Sequence, residues 1–354
     1  MQTKMLIQTA LVGAVICGTA VALAQGQEPA KDRFFVNYRA GFNINASFNA
    51  PALVLMTPPP LEGSGSTGNP VAREYEDGFV RVDSTGNAGG YTWYWGYNND
   101  SQVQGVGSEG GGALLMQSTV SAASPGGFKQ TDDPQHGAEI MYQHELARNE
   151  RWRVGVELAF NYTWITIRAS QTAPAMLTRI VDAYPLEGIT PPLAPYAGTL
   201  DGPGPLISDQ FTRTTETGTA EGWSLANSRQ LDGELYGLRI GPYFEYPVTE
   251  SVALSLSAGL AAGYIDTEFS YRDTLTDGEG GVPVSDQGSG SKHGFLAGAY
   301  AGGMFTVAVS ERVSLFAAAQ WQYLNSWKVS AGEHDVKLDF SKSLFVSVGV
   351  SFVF

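Results

Sequence analysis

The sequence has one cysteine, Cys17, in 354 residues. A single thiol this close to the N-terminus excludes a disulfide framework and a clustered thiolate metal site. Beyond the first 24 residues there is no long apolar run, so a helical membrane span is excluded there. Positive charge is scarce, with 21 Lys and Arg against 35 Asp and Glu and a net charge of −14. That balance argues against nucleic acid as a partner. Histidine is rare too, at four residues, and none of them supplies metal-ligand spacing. No cofactor is expected. Glycine, by contrast, is abundant at 43 residues, and there are 16 tyrosines and seven tryptophans.

The first 24 residues read as an export signal. Lys4 precedes a small, apolar stretch to Leu23, and Ala22-Leu23-Ala24 forms an A-x-A cleavage site. A retained helix is disfavoured by the polar sequence that follows. Lipid attachment at Cys17 is disfavoured by the preceding Ala14-Val15-Ile16. Cleavage after Ala24 leaves residues 25–354 as the mature chain, without cysteine.

What remains alternates with period two. At the C-terminus Leu344, Val346, Val348, Val350, Phe352 and Phe354 share one side of an extended strand, and Ser347, Gly349 and Ser351 take the other. A wholly apolar face on an alternating strand is a face in oil. Phe34 to Phe48 alternates likewise, with Phe34, Val36, Tyr38, Ala40, Phe42, Ile44, Ala46 and Phe48 on the apolar side. Trp152 to Arg168 sets Trp152, Val156, Leu158, Phe160, Tyr162 and Trp164 against Gly155, Ala159, Asn161 and Thr163. Ala138–Leu146, Leu235–Tyr246, Val252–Ile265, Phe295–Val309 and Val313–Leu324 complete the set. Their connections alternate between tight turns, at 147–150, 248–251 and 310–312, and long polar segments. That asymmetry, with aromatic girdles and weak hydropathy, is the pattern of a transmembrane β-barrel.

The count favours eight antiparallel strands. Segment 49–135, read as a long first extracellular loop, contains strand-like pieces at 78–82, 91–97 and 113–122, and one extra hairpin there makes ten. Segment 169–230 reads as a long Pro-rich loop with a short helix near Met176–Tyr184. Segment 273–290 reads as a mobile acidic loop, and 330–341 as another loop. A soluble β-sandwich is the weaker alternative, because strands as long as Trp152–Arg168 with Gly-, Ser- and Ala-lined polar faces do not suit it.

On this strand pattern, turn asymmetry and terminal Phe, the chain resembles small bacterial outer-membrane barrels of the OmpA transmembrane-domain or opacity-protein type. No motif specifies a subfamily. The resemblance implies an integral outer-membrane location. It implies lipid and lipopolysaccharide as surroundings, and the barrel-assembly machinery as a partner during insertion through a signal around Phe352 and Phe354. Oligomeric state is left open. Acidic loops near lipopolysaccharide suggest divalent cations bridging to its phosphates.

An eight-stranded barrel is narrow enough to be filled by its own side chains. The inward positions carry Arg39, Glu139, Arg153, Glu157, Arg239 and Glu245. They predict a plug of ion pairs, with a charged constriction in a narrow porin-like channel as the alternative. No enzymatic activity is expected. Outer-membrane lipid-modifying enzymes carry a Ser/His pair, often His-x-Ser, and none of His136, His144, His293 or His334 has that spacing. Nothing in the sequence joins His334 and Asp335 to a loop carboxylate for proteolysis. Asp83, Asn87 and Asp100 lack calcium-ligand spacing. The expected role is structural or at the cell surface. The candidates for an extracellular ligand are the loop aromatics Tyr91, Trp93, Tyr94, Trp95 and Tyr97, which have a packed hairpin as their bland alternative.

Overall fold

The computed structural model describes residues 32–61, 69–107, 111–124, 126–149, 151–278 and 281–354. The expected export signal, residues 1–24, lies outside them. Eight strands close into a ring: β1 (Asp32–Phe42), β2 (Gln135–Arg148), β3 (Arg153–Pro185), β4 (Thr212–Pro247), β5 (Val252–Thr276), β6 (Val284–Ala308), β7 (Val313–Leu324) and β8 (Ser343–Val353). Every neighbour pair is antiparallel, and β8 returns to β1, pairing Arg33 with Val353 and Phe42 with Leu344. Ring closure leaves no sheet edge at this level, which an open sheet in hydrocarbon could not tolerate.

The apolar sides of the strands point outward. Val36, Leu158, Ile240, Leu256, Leu260, Leu315, Val348 and Phe352 are all exposed. At the upper margin of this belt Trp164, Tyr162, Tyr236, Tyr264 and Phe295 form a chain of ring contacts across four strands. Turns 149–152, 248–251 and 309–312 are short, and all lie at the opposite end.

Four strands run far past the belt. β3 to β6 have 33, 36, 25 and 25 residues, against about 9–11 for a crossing. Segment 169–230 is therefore largely strand: β3 runs to Pro185, β4 resumes at Thr212, and only 186–211 connects them. The expected helix at Met176–Tyr184 is strand as well. Its β-branched Ile180 and Val181 lie between two antiparallel partners, Ala113–Ala123 on one side and Thr212–Thr219 on the other. Those ladders satisfy the backbone that a short helix would have had to satisfy alone. Pro174 sits at a register shift in the β3–β4 ladder, where a missing N–H is tolerated. The expected mobile loop at 273–290 is likewise mostly ladder, up to Thr276 and again from Val284.

The first strand breaks earlier than its alternation suggests. Asn43 adopts φ 60°, a left-handed conformation that Asn tolerates better than most residues. The chain then turns inward. Ile44, Ala46 and Phe48, expected on the outward apolar face, are instead buried. Asn45–Phe48 joins a four-stranded cap with Phe128–Gln130, Trp327–Ala331 and His334–Asp339, so the expected loop at 330–341 is a hairpin. Among its described residues, segment 49–135 adds no strand to the ring. It folds with 186–211 into small sheets above the barrel, including Arg73–Tyr75, Gly78–Val80, Trp95–Tyr97 and Tyr196–Ala197.

Candidate functional site

All six charged residues expected in the lumen point into it. Arg239 is the centre. It reaches Glu139 at 2.8 Å and also pairs with Glu157. Its strand explains the reach. Arg239 lies opposite Ala159 on β3, and that small residue lets the guanidinium cross to β2. One step along, Asn161 fills the space over Gly237, where a Cβ would meet its Oδ1 at 2.3 Å. Arg39 closes the network from β1, with Nη1 3.1 Å from Glu139 and its guanidinium 3.7 Å above the Phe345 ring. Arg39 also donates to Gln322, and Gln143 and Tyr300 donate to Glu157. Nearer the short turns Glu245 accepts from Arg153 at 2.9 Å, from Arg33 at 2.5 Å and from Ser255 at 3.1 Å. Arg33 was missed in the sequence because it precedes the first residue read as strand. Its parity with Arg39 is the signal that could have found it.

Arg39, Glu139, Glu157, Arg239 and Glu245 are almost fully buried, whereas Arg153 is more than a third exposed. Buried charges are tolerable only when paired and hydrogen-bonded, because removing one partner leaves a bare charge in low dielectric. Beside Arg239, next to Ser257 and Gly302, a cavity of about 30 Å³ remains, room for an ordered water or two.

Above the aromatic chain the lumen changes character. Ile165, Ile167, Leu231, Ile265, Phe269 and Leu296 point inward and pack against Ile44, Phe48, Trp327, Val336 and Leu338 of the cap. Ion pairs therefore cross the lumen at the belt, and a packed apolar core lies above them. At the edge of that core His334 of the cap stacks on Tyr271 at 3.6 Å. The carboxylate of Asp273 is held by Arg229 through both oxygens and lies 3.7 Å from His334 Nε2. Burial and the neighbouring Arg229 guanidinium hold the His334 pKa below its usual range. Asp335 turns away and pairs with Lys328, so the chain does not join His334 and Asp335 in one site.

The loop aromatics divide. Trp95 and Tyr97 are buried and stacked, and they pack with Tyr196 in a core that includes Tyr75, Leu114, Met116, Tyr184 and Ile207. Neither is available to a ligand. Tyr91, Trp93 and Tyr94 are half-buried. Tyr91 donates to Glu187, Trp93 donates to the Leu200 carbonyl, and Tyr94 accepts from Arg81. Beneath them Tyr75 donates to Asp182, which Arg213 also holds. Burial pushes the Tyr184 hydroxyl up to about 12. Asp83 accepts from Thr85, Asn87 and Trp93. Its oxygens are thus committed to a turn, and Asp100 lies elsewhere, accepting from Ala194 N–H. Among the described residues no group of three or more His, Cys, Asp or Glu could hold a metal.

The ring is closed, its outward belt is apolar with an aromatic margin, and its long loops lie at one end. The architecture is that of an outer-membrane β-barrel. No family model matches the chain, and no curated protein matches it. Among solved structures it is similar to Ail of Yersinia pestis in complex with the heparin analogue sucrose octasulfate. That match has 8% identity over 91% of this chain and 99% of that chain, with a TM-score of 0.23. It is also similar to the outer-membrane protease OmpT of Escherichia coli, at 10% identity over 94% and 99%, with a TM-score of 0.29. A FadL homologue of Pseudomonas aeruginosa follows at 8% identity over 91% and 90%, with a TM-score of 0.18. These scores transfer no site and no activity.

The comparison does correct one expectation. No enzymatic activity is expected from the sequence, with a lipid-modifying enzyme as the less favoured alternative, yet a protease stands among the similar barrels. The missing His-x-Ser spacing rules out one chemistry only. Barrels assemble sites from side chains far apart in sequence, as this one assembles His334, Asp273 and Arg229, so spacing along the chain cannot exclude an enzyme.

Proposed function

We propose that this chain is an integral outer-membrane protein whose lumen is plugged by its own side chains and whose work is done at the long-loop end, facing outward. The observation that carries this reading is the double closure, with the Arg39–Glu139–Arg239–Glu157 network at the belt and the apolar cap core above it. A channel needs a continuous polar path, and two successive closures oppose one. The surface role is supported by how much packed structure stands beyond the belt. Segments 49–135 and 186–211 build a core of their own around Trp95 and Tyr184. The eight-stranded ring supports a likeness to the small OmpA-type or opacity-type barrels. Export through a signal at 1–24, insertion by the barrel-assembly machinery through the strand ending at Phe352 and Phe354, and a setting in lipid and lipopolysaccharide belong to the same proposal.

Single-channel recording of the refolded protein in planar bilayers tests it. The expected result is silence in a preparation whose heat-modifiable gel mobility confirms a folded barrel. Stable, reproducible openings from such a preparation would replace the plug with a narrow porin-like channel for ions or small solutes.

A further inference from the structure

The ladder between β4 and β5 stops before β4 does. It begins at Ser224, opposite Thr276, and no described strand pairs with Thr212–Thr219 on that side. The departure is built in. Gly222 takes φ 80° and lies 3.5 Å from Gly278 Cα, measured from the position its own Cβ would occupy. β5 ends at Thr276, and among the described residues no strand occupies the lane beside β4 beyond it. The segment left behind is Thr-Arg-Thr-Thr-Glu-Thr-Gly-Thr, and all of it except Arg213 is exposed. An antiparallel strand directs every second residue's N–H and C=O to each side, so roughly four residues here present unpaired backbone groups. Natural edges are usually blunted by lysine, proline or a covering loop. This edge has neither residue, and its five threonines favour extended backbone.

A second feature adjoins the edge. Where Ala220–Trp223 bulge out of the β3–β4 ladder, an open cleft of about 580 Å³ lies between Thr172, Pro174, Thr219, Ala220, Gly222 and Trp223. The half-buried indole of Trp223 backs onto Leu53, Leu177, Leu225 and Leu275. The edge and the cleft are collinear, one following the other along β4. A free edge that supplies main-chain hydrogen bonds, beside a pocket that takes a side chain, is the arrangement by which sheets bind extended peptides.

We propose that β4 captures an extended polypeptide segment, which adds as a strand along Thr212–Thr219 in the vacated lane and seats a large apolar side chain against Trp223. This rests on the outward placement of the long-loop end. Glu216 is the exposed charge of the edge, so the captured segment is neutral or basic rather than acidic.

The test uses the refolded full-length protein in detergent. Peptides are selected from a random phage-displayed library, and the enriched sequences are synthesised and titrated. Wild type is expected to bind peptides with an apolar anchor, and binding should slow hydrogen exchange at the amides of Thr212–Thr219. Trp223→Ala and Thr217→Lys should each weaken binding about tenfold or more. Leu193→Ser, on an exposed connection away from the edge, should leave it unchanged. Gel mobility on heating verifies that each variant is folded. Equal binding by all four proteins, no protection at 212–219, or no enrichment would overturn the proposal. A concentration-dependent dimer protected at the same residues would overturn it in favour of a second copy as the occupant. A conducting barrel that still binds these peptides at the edge would sink the plug and leave this proposal standing.

Discussion

On either side of the aromatic ring at Trp164 and Tyr236, the same strands are built to opposite rules. Below it β3 turns Leu158, Phe160 and Tyr162 outward, and Glu157, Ala159 and Asn161 inward. Above it β3 turns Thr166 and Arg168 outward, and Ile165 and Ile167 inward. Alternation continues without a slip while the polarity reverses. β4 reverses between Leu238, outward, and Asp232, outward, with Leu231 and Leu235 inside. The pleat sends alternate side chains to opposite faces in either case. Which face must be apolar depends on what lies outside, hydrocarbon or water. The reversal therefore marks where the surroundings change.

The largest expected effect breaks the lower half. Arg239→Ala leaves the buried Glu157 carboxylate without a cation and Glu139 with Arg39 alone, and should cost about 3–5 kcal/mol. Urea unfolding in lipid vesicles measures it. The double variant R239M with E157Q keeps the Arg39–Glu139 pair, carries no bare charge and should recover most of that loss. If R239A alone is as stable as wild type, the network is not what holds the lumen.

The upper half breaks by a different substitution. Phe269 is fully buried against Phe48, and Phe269→Ala should cost about 3 kcal/mol or more through the cavity it leaves. Unlike R239A, it should open the cap while the ring stays closed. Limited proteolysis should then cut the cap hairpin at 327–339 and spare the barrel. Loss of both together would show that cap and ring fold as one unit, and the comparison would lose its force.

Outward positions sharpen the boundary itself. Ile240 lies in the belt, midway between Tyr236 and Tyr246 on β4, and Ile240→Arg should destabilise by about 2–4 kcal/mol. Thr166→Arg, on the outward face just above the ring, should change stability by less than about 0.5 kcal/mol. Equal costs at the two sites would move the hydrocarbon boundary away from Trp164.

Period-two patterning identified all eight ring strands, because each carries apolar side chains outward within the belt. The six lumenal charges were legible for the same reason, since inward parity follows from outward parity. The strand extensions were not. Ser170, Thr172, Ser228 and Gln230 look like loop when strand is recognised by an apolar outer face, although Ala169, Ala173, Leu225 and Leu231 alternate with them in opposite phase. The aromatics at 91–97 were legible as a cluster and misleading as a surface. Trp95 and Tyr97 are buried by Tyr196 and Tyr184, which arrive from segments about a hundred residues away, and local spacing carries no trace of that. The inward turn at Asn43 was equally silent, because one residue at positive φ redirects Ile44 and Phe48 without altering the pattern.

The smallest expected effect is a pH dependence confined to the upper half. His334 is buried against Tyr271 beside Arg229, with Asp273 and Asp286 on its other side. Its pKa in the folded protein lies below the ordinary value of 6.5 because burial and Arg229 disfavour the imidazolium. As pH falls through 6.5 the unfolded chain takes up a proton that the folded cap resists, so folded stability declines on acidification and levels off below the depressed folded pKa. Above 6.5 this group makes stability independent of pH. Hydrogen exchange of the cap hairpin at 327–339, followed from neutral to mildly acidic pH, should show faster opening at the acid end. His334→Gln cannot be charged and should remove that slope, while the ring strands, held by the lumenal network below the aromatic boundary, should show none in either protein. A slope that survives H334Q would remove His334 as its source.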